Sequence, residues 1–295
     1  MIRLIDRHLH ISTMPSFTFK SYNIHYLDGG DPSGPVILFL HGWMSSSGIF
    51  YAQFTHFAPR YRLIAMDFLG HGKSDHPPPA EAGNLYSHTA YQDCVIALID
   101  RLHLKNVALL GWSMGCAVTL QVARRIPEKI RCIICVGTTP LLVLPTNEIT
   151  FPAMPVSARL ATVHQLTTNF PQFSKQMVYG SFPEYNPSSS DPMPEYVLVS
   201  LQANEAIGGE IAAAVLNAVG TEDFRDRMAG VKSRLLMVHG ERDQATLPEA
   251  ARWVFEHVGS QQKEMIVYDD AGHSPFLGKW TERFNADVEK FLSVS

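Results

Sequence analysis

Gly111-Trp112-Ser113-Met114-Gly115 constrains this chain more than any other stretch. The apolar run Asn106-Val107-Ala108-Leu109-Leu110 precedes it and reads as a buried strand. Cys116 to Arg125 follows and reads as a helix, ended by Pro127. A strand that turns into a helix in so few residues strains the backbone of Ser113. It also leaves space only for small residues two positions before and two after. Gly111 and Gly115 meet that demand. A serine placed in this way holds its hydroxyl clear of the backbone, over the positive end of a helix.

Four further stretches stand in an ordered relation to this turn. Val36-Ile37-Leu38-Phe39-Leu40 reads as a strand running into His41-Gly42-Trp43. Asp67-Phe68-Leu69-Gly70-His71-Gly72-Lys73-Ser74-Asp75 is a D-x-x-G-x-G-x-S loop. Arg234 to His239 reads as a buried strand leading into Gly240-Glu241-Arg242-Asp243, and Lys263 to Tyr268 as a last strand leading into Ala271-Gly272-His273-Ser274-Pro275-Phe276. In this order the motifs resemble the α/β-hydrolase fold family, which places its nucleophile first, its acid second and its histidine last. The resemblance covers nearly the whole chain. It implies a mainly parallel eight-stranded sheet with helices on both faces and a helical cap inserted above the site. The division expected is a core of residues 1–140 and 223–295 with a cap of 141–222.

The rest of the sequence agrees with an α/β class. Strands at about 36–40, 62–66 and 130–136 alternate with helices, including one at about 87–103, and their continuous apolar character fits a sheet covered on both faces. Residues 1–15 read as an extension, and Ser16 to Asp28 as an antiparallel hairpin closed by Gly29 to Gly34. Between about Leu141 and Asp223 the rhythm stops. That segment is rich in aromatics and methionines (Phe151, Met154, Phe170, Phe173, Met177, Phe182, Tyr196 among them), some of which are expected to line an apolar pocket. Pro183 to Pro192 reads as a loop.

Composition narrows the function classes. With 46% hydrophobic and 18% charged residues the chain can bury a large core, and a net charge of -4 offers no electrostatic case for nucleic acid or an anionic membrane. No apolar run reaches the roughly 20 residues that span a bilayer, and the charged start Met1 to His10 lacks the apolar segment of a secretory signal. Cys94, Cys116, Cys132 and Cys135 all sit in apolar segments. The Cys132-x-x-Cys135 spacing in a strand points the two thiols to opposite faces, so neither a metal nor a redox role is expected and a cytoplasmic location is.

The resemblance carries roles onto particular residues. Ser113 is the expected nucleophile, because an alcohol attacks at neutral pH only when a base removes its proton. His273 is the expected base and Asp243 the group that orients it. Glu241 and Asp223 are rivals for the acid, but only Gly240-x-x-Asp243 fits the family's spacing. The oxyanion hole is expected from the backbone N–H groups of Trp43 and Met114, and the substrate pocket from Trp43, Trp112, Leu141 and Phe276. His41, His71 and Asp67 are expected to brace loops. No metal-ligand spacing and no phosphate-cradling loop occurs, so no cofactor is expected. Ser113 excludes the relatives that need aspartate at this turn, the haloalkane dehalogenases and epoxide hydrolases. Cys116 departs from the glycine common there.

The motifs are also similar to those of small bacterial carboxylesterases, acyl-homoserine lactonases and pimeloyl-carrier-protein methyl ester esterases. A serine esterase of apolar acyl or aryl groups is therefore expected, with lactonase or thioesterase activity as alternatives. A cofactor-free oxygenase or a ligand-binding receptor on the same fold is the alternative of another class. The partner is expected to be a small-molecule ester. The cap holds Arg159 and Lys175 against Glu148, Glu184, Asp191, Glu195, Glu205, Glu210 and Glu222. Like-charge repulsion argues against an acidic carrier protein.

Overall fold

The computed structural model describes residues 11–13, 15–139 and 154–294. Nine strands are seen among these residues: β1 (Ile11–Thr13), β2 (Ser16–Phe19), β3 (Tyr22–Gly30), β4 (Val36–Leu40), β5 (Arg62–Met66), β6 (Val107–Trp112), β7 (Ile130–Val136), β8 (Arg234–Gly240) and β9 (Lys263–Tyr268). Eight lie side by side in the order β1-β3-β5-β4-β6-β7-β8-β9, and β2 folds onto β3. Every neighbouring pair from β5 to β9 is parallel, and β3 runs antiparallel to β5. The hairpin near the start turns at Lys20, in the left-handed region at φ 54°, and not at Gly29 to Gly34. Gly29 and Gly30 instead extend β3 along β5.

Strand alternation explains why both faces are covered. Leu38, Leu40, Leu109, Ile133 and Leu235 face one layer, packed on Val95 and Leu98 of α2 (His88–Arg101) and Val118 of α3 (Met114–Arg125). Ile37, Phe39, Leu110, Ile134 and Leu236 face the other, packed on Phe54 of α1 (Tyr51–Phe57) and Phe284 of the C-terminal helix Thr281–Ser293. Cys132 and Cys135 fall into these opposite layers, each fully buried. All four cysteines are free.

Between β7 and β8 the described chain is helical: α4 (Val156–Thr168), α5 (Phe170–Ser181), α6 (Glu195–Ile207) and α7 (Gly209–Val219). Leu166, Ile207, Ala212 and Leu216 form a small core with Met44 from the loop after β4. Phe170 and Phe173 pack against that core. The sheet's crossover lies at β4, whose neighbours β5 and β6 lead in opposite directions. Leu40 and Gly111 are register partners there, so the loop after β4 and the turn after β6 leave the sheet side by side. A crevice at this switch point is where open α/β sheets bind ligands.

Candidate active site

The turn at Ser113 takes the strained form that its sequence demands. Ser113 has φ 55° and ψ -119°, and its N–H donates to Val136 O at 2.8 Å. A Cβ on Gly111 would lie 2.4 Å from Gly115 O, and one on Gly115 2.2 Å from Leu40 O. Any larger residue at either position would push the helix off the sheet. Cys116 is fully buried against Cys135 of β7.

The three distant motifs meet at this turn. Ser113 Oγ lies 2.9 Å from His273 Nε2, and His273 Nδ1 lies 2.7 Å from Asp243 Oδ2. Asp243 is buried in its own loop. Its Oδ1 accepts from the N–H groups of Ala245 and Thr246, and its Oδ2 accepts from the Thr246 hydroxyl at 2.9 Å as well as from His273. Burial raises the Asp243 pKa, but His273, His239 and the Thr246 amide more than offset it and bring it down to about 2. The two rival carboxylates are elsewhere: Asp223 forks the Arg225 guanidinium, and Glu241 is exposed.

The loop after β4 lies over the serine. A Cβ on Gly42 would be 3.1 Å from Ser113 Cβ, which sets the Trp43 amide close to the turn. Met114 opens α3, so its N–H has no partner within the helix. His41 braces this loop, as expected. Its Nδ1–H donates to Gly42 O at 2.7 Å, and its Nε2 accepts from Phe68 N–H at 3.0 Å. Burial lowers its pKa, so the ring is neutral with both nitrogens engaged. Asp67 ties the same region together, accepting from Ser47 N–H, Lys73 N–H and His25 Nδ1. His71 is fully buried on the Leu69 carbonyl.

A cavity of about 320 Å³ opens over Ser113 and His273. Trp43 and Trp112 line it, with Met154, Met177 and Phe182 from the helical segment. Leu141 lies outside the described residues. Phe276 departs from expectation: it is fully buried among Phe50, Trp112 and Phe284 and does not line the cavity. It supports the wall from behind, because the histidine loop turns inward and its carbonyl takes a hydrogen bond from Gln53. Trp112 has a second function beyond wall-building, since its indole N–H donates to His273 O at 2.8 Å.

Several site residues carried no sequence signal. Asn204 of α6 donates to Met44 O at 2.7 Å, and the Trp43 indole donates to Ala212 O of α7 at 3.1 Å. Both bonds join the loop over the serine to the helical segment. His239 stands 3.4 Å from Asp243 while donating from Nε2 to Thr246 O. His88 and Glu222 also line the cavity. A polar residue inside an apolar helix or strand has no periodic mark, so only the fold reveals these partners. Among the described residues, no group of three His, Cys, Asp or Glu side chains is placed to hold a metal ion.

With this geometry in place, comparison with known proteins settles the family. The model of the alpha/beta hydrolase fold matches residues 35–279. This chain belongs to the α/β-hydrolase fold family. A pimeloyl-[acyl-carrier protein] methyl ester esterase of Nitrosospira multiformis is 27% identical over 266 residues, covering 88% of this chain and 94% of that relative. An esterase from Exiguobacterium antarcticum superimposes with a TM-score of 0.80 at 25% identity, over 95% of this chain and 99% of that one. The enol-lactonase from Burkholderia xenovorans LB400 superimposes with a TM-score of 0.79 at 18% identity, over 95% and 100% of the two chains, and shares the fold. Among the described residues, no helix of this α/β hydrolase is long and apolar enough to cross a membrane.

Proposed function

We propose that the chain is a serine hydrolase that cleaves carboxylic esters of apolar acyl or aryl groups through an acyl-enzyme. The observation that carries this reading is the hydrogen-bonded series Ser113–His273–Asp243, at 2.9 and 2.7 Å, on the wall of a largely apolar cavity. His273 Nε2 takes the Ser113 proton as Oγ attacks the ester carbonyl, and Asp243 holds the ring so that Nδ1 keeps its proton. The developing oxyanion is met by the N–H groups of Trp43 and Met114. The imidazolium then protonates the leaving alcohol, and water repeats the cycle to release the acid.

A neutral ester free of any carrier protein is the substrate that the charges favour. The helical segment carries Glu184, Asp191, Glu195, Glu205 and Glu210, and of its two expected cations Arg159 is bonded to Asn217. An acidic carrier would be repelled there, although several relatives are named for a carrier-protein ester. Four buried, unpaired cysteines support placing the chain in the reducing cytoplasm.

A substrate panel tests the reading: aryl esters of increasing acyl length, acyl-homoserine lactones, acyl thioesters and a carrier-linked ester. Neutral aryl esters are expected to give the highest kcat/KM. No hydrolysis of any member would overturn the hydrolase reading, and a dominant lactone or carrier-linked substrate would replace the ester assignment.

A further inference from the structure

The cavity over Ser113 is lined by Met114, Ala117, Leu216, Val219 and Phe224, and also by the polar pair His88 and Glu222. Glu222 Oε2 accepts from the His88 backbone N–H at 2.7 Å and from His88 Nδ1 at 2.8 Å. The Thr89 hydroxyl stands 3.4 Å from Oε1. The His88 ring packs edge-on to Phe224 at 5.1 Å and is 6% exposed. Its Nε2 has no hydrogen-bond partner among the described residues, and it is not one of the atoms sealed from a water-sized group.

The chemistry of Ser113, His273 and Asp243 makes no use of this pair. As a tether between the helical segment and the start of α2, the Glu222–backbone bond alone would suffice. With its ring neutral, an imidazole held by a carboxylate carries its proton on Nδ1 and leaves Nε2 as an acceptor. Burial raises the Glu222 pKa, but its bonds to His88 outweigh this and lower it, so the carboxylate is charged. With the ring neutral, the pair thus offers two acceptors to the cavity lining, Nε2 and the less occupied Oε1.

We propose that His88 and Glu222 form a recognition site for a hydroxyl at the far end of the substrate's acyl chain. The proposal rests on the ester-hydrolase reading of Ser113 and names its substrate class as ω-hydroxyacyl esters. A carboxylate end would meet the charge of Glu222. An ammonium end would lose most of its hydration in a largely apolar cavity, and one carboxylate already bonded to His88 restores only part of it. A hydroxyl needs one acceptor, and the pair provides it. A plain alkyl end long enough to reach the pair would strip water from both acceptors and replace it with nothing.

The test compares kcat/KM for p-nitrophenyl ω-hydroxyalkanoates and the matching alkanoates, from butanoate to decanoate, with ω-amino and dicarboxylate monoesters alongside. At one chain length the hydroxy ester is expected to exceed the plain ester by about tenfold, the factor given by one hydrogen bond to a charge-coupled acceptor. At shorter lengths the hydroxy ester should be the poorer substrate. Glu222→Gln and His88→Phe should each bring the ratio at that length to one or below, a change in selectivity that a tether would not produce. Binding of methyl ω-hydroxyalkanoates and methyl alkanoates to Ser113→Ala, followed by calorimetry, reads the same preference without turnover. If no ester is hydrolysed yet the hydroxy ligand still binds about tenfold tighter, the function reading fails and the recognition site stands. Hydroxy esters inferior at every length, variants that keep the ratio, or a stronger preference for the amino ester would each overturn the site.

Discussion

Ser113 Oγ, His273 and Asp243 form one hydrogen-bonded unit, so each should fail in its own way when altered. Ser113→Ala should lower hydrolysis on the order of 10³-fold or more with the fold intact. A serine-directed organophosphonate should label Ser113 in the wild type, and near-normal turnover by the variant would exclude covalent catalysis there. Asp243→Asn should cost about 10⁴-fold, because an amide favours the wrong imidazole tautomer. Glu241→Gln, at an exposed position, should change little. The reverse ranking would move the acid by two residues. The pH dependence follows from the sign of the Asp243 shift. With its pKa brought down to about 2, Asp243 stays ionised at every pH above about 4. The acid limb of kcat/KM above that pH is therefore not set by protonation of Asp243 and is expected to show the steepness of a single proton. A limb steeper than one proton would show that a second group controls the reaction.

At the scale of elements, the loop after β4 is held from two sides. Below it, Asp67 and His41 bind it to the loop after β5. Above it, Asn204 of α6 holds the Met44 carbonyl and Ala212 of α7 holds the Trp43 indole. Met44 has φ 56°, a left-handed conformation that costs on the order of 1 kcal/mol and persists only when its surroundings enforce it. Asn204→Ala leaves that buried carbonyl short of a donor, at a cost of about 1–3 kcal/mol. Its expected outcome is a kcat reduced by about tenfold with a smaller change in KM, since the Trp43 amide is displaced more than the pocket wall. Steady-state kinetics with a short aryl ester checks this, and a KM effect larger than the kcat effect would show that Asn204 serves binding instead.

For the whole molecule, the sheet supplies the machinery and the helical segment supplies the shape of the pocket. A cavity of about 320 Å³ is at the small end of ligand sites, so selectivity for chain length should be visible and finite. Each buried methylene contributes about 0.8 kcal/mol, close to fourfold in kcat/KM. Rates should climb from acetate to medium-chain neutral esters and then level off as the cavity fills. Esters with an anionic acyl tail should lag at matched length, because the helical segment and Glu222 carry negative charge. A kcat/KM series over plain esters and dicarboxylate monoesters measures both trends, and faster turnover of the anionic series would reverse the electrostatic reading.

The sequence alone determined the strand-turn-helix at Ser113, the apolar strands and the order of the serine, acid and histidine motifs. These rest on local physics: the steric demand for Gly111 and Gly115, the period of buried strands, and acid and histidine loops that start where strands end. The short connection at Lys20 was obscured because a left-handed lysine has none of the signal of glycine or asparagine. Phe276 looked like a pocket residue because it neighbours His273, yet the inward turn of its loop sends the ring into the core. Only the tertiary structure brought Asn204 to Met44, Trp112 to the His273 carbonyl, and Glu222 to His88 across 134 residues of chain. Each of these pairs is a polar contact between elements distant in sequence, and its energy depends on burial and direction, which the packing of the helical segment on the sheet alone supplies.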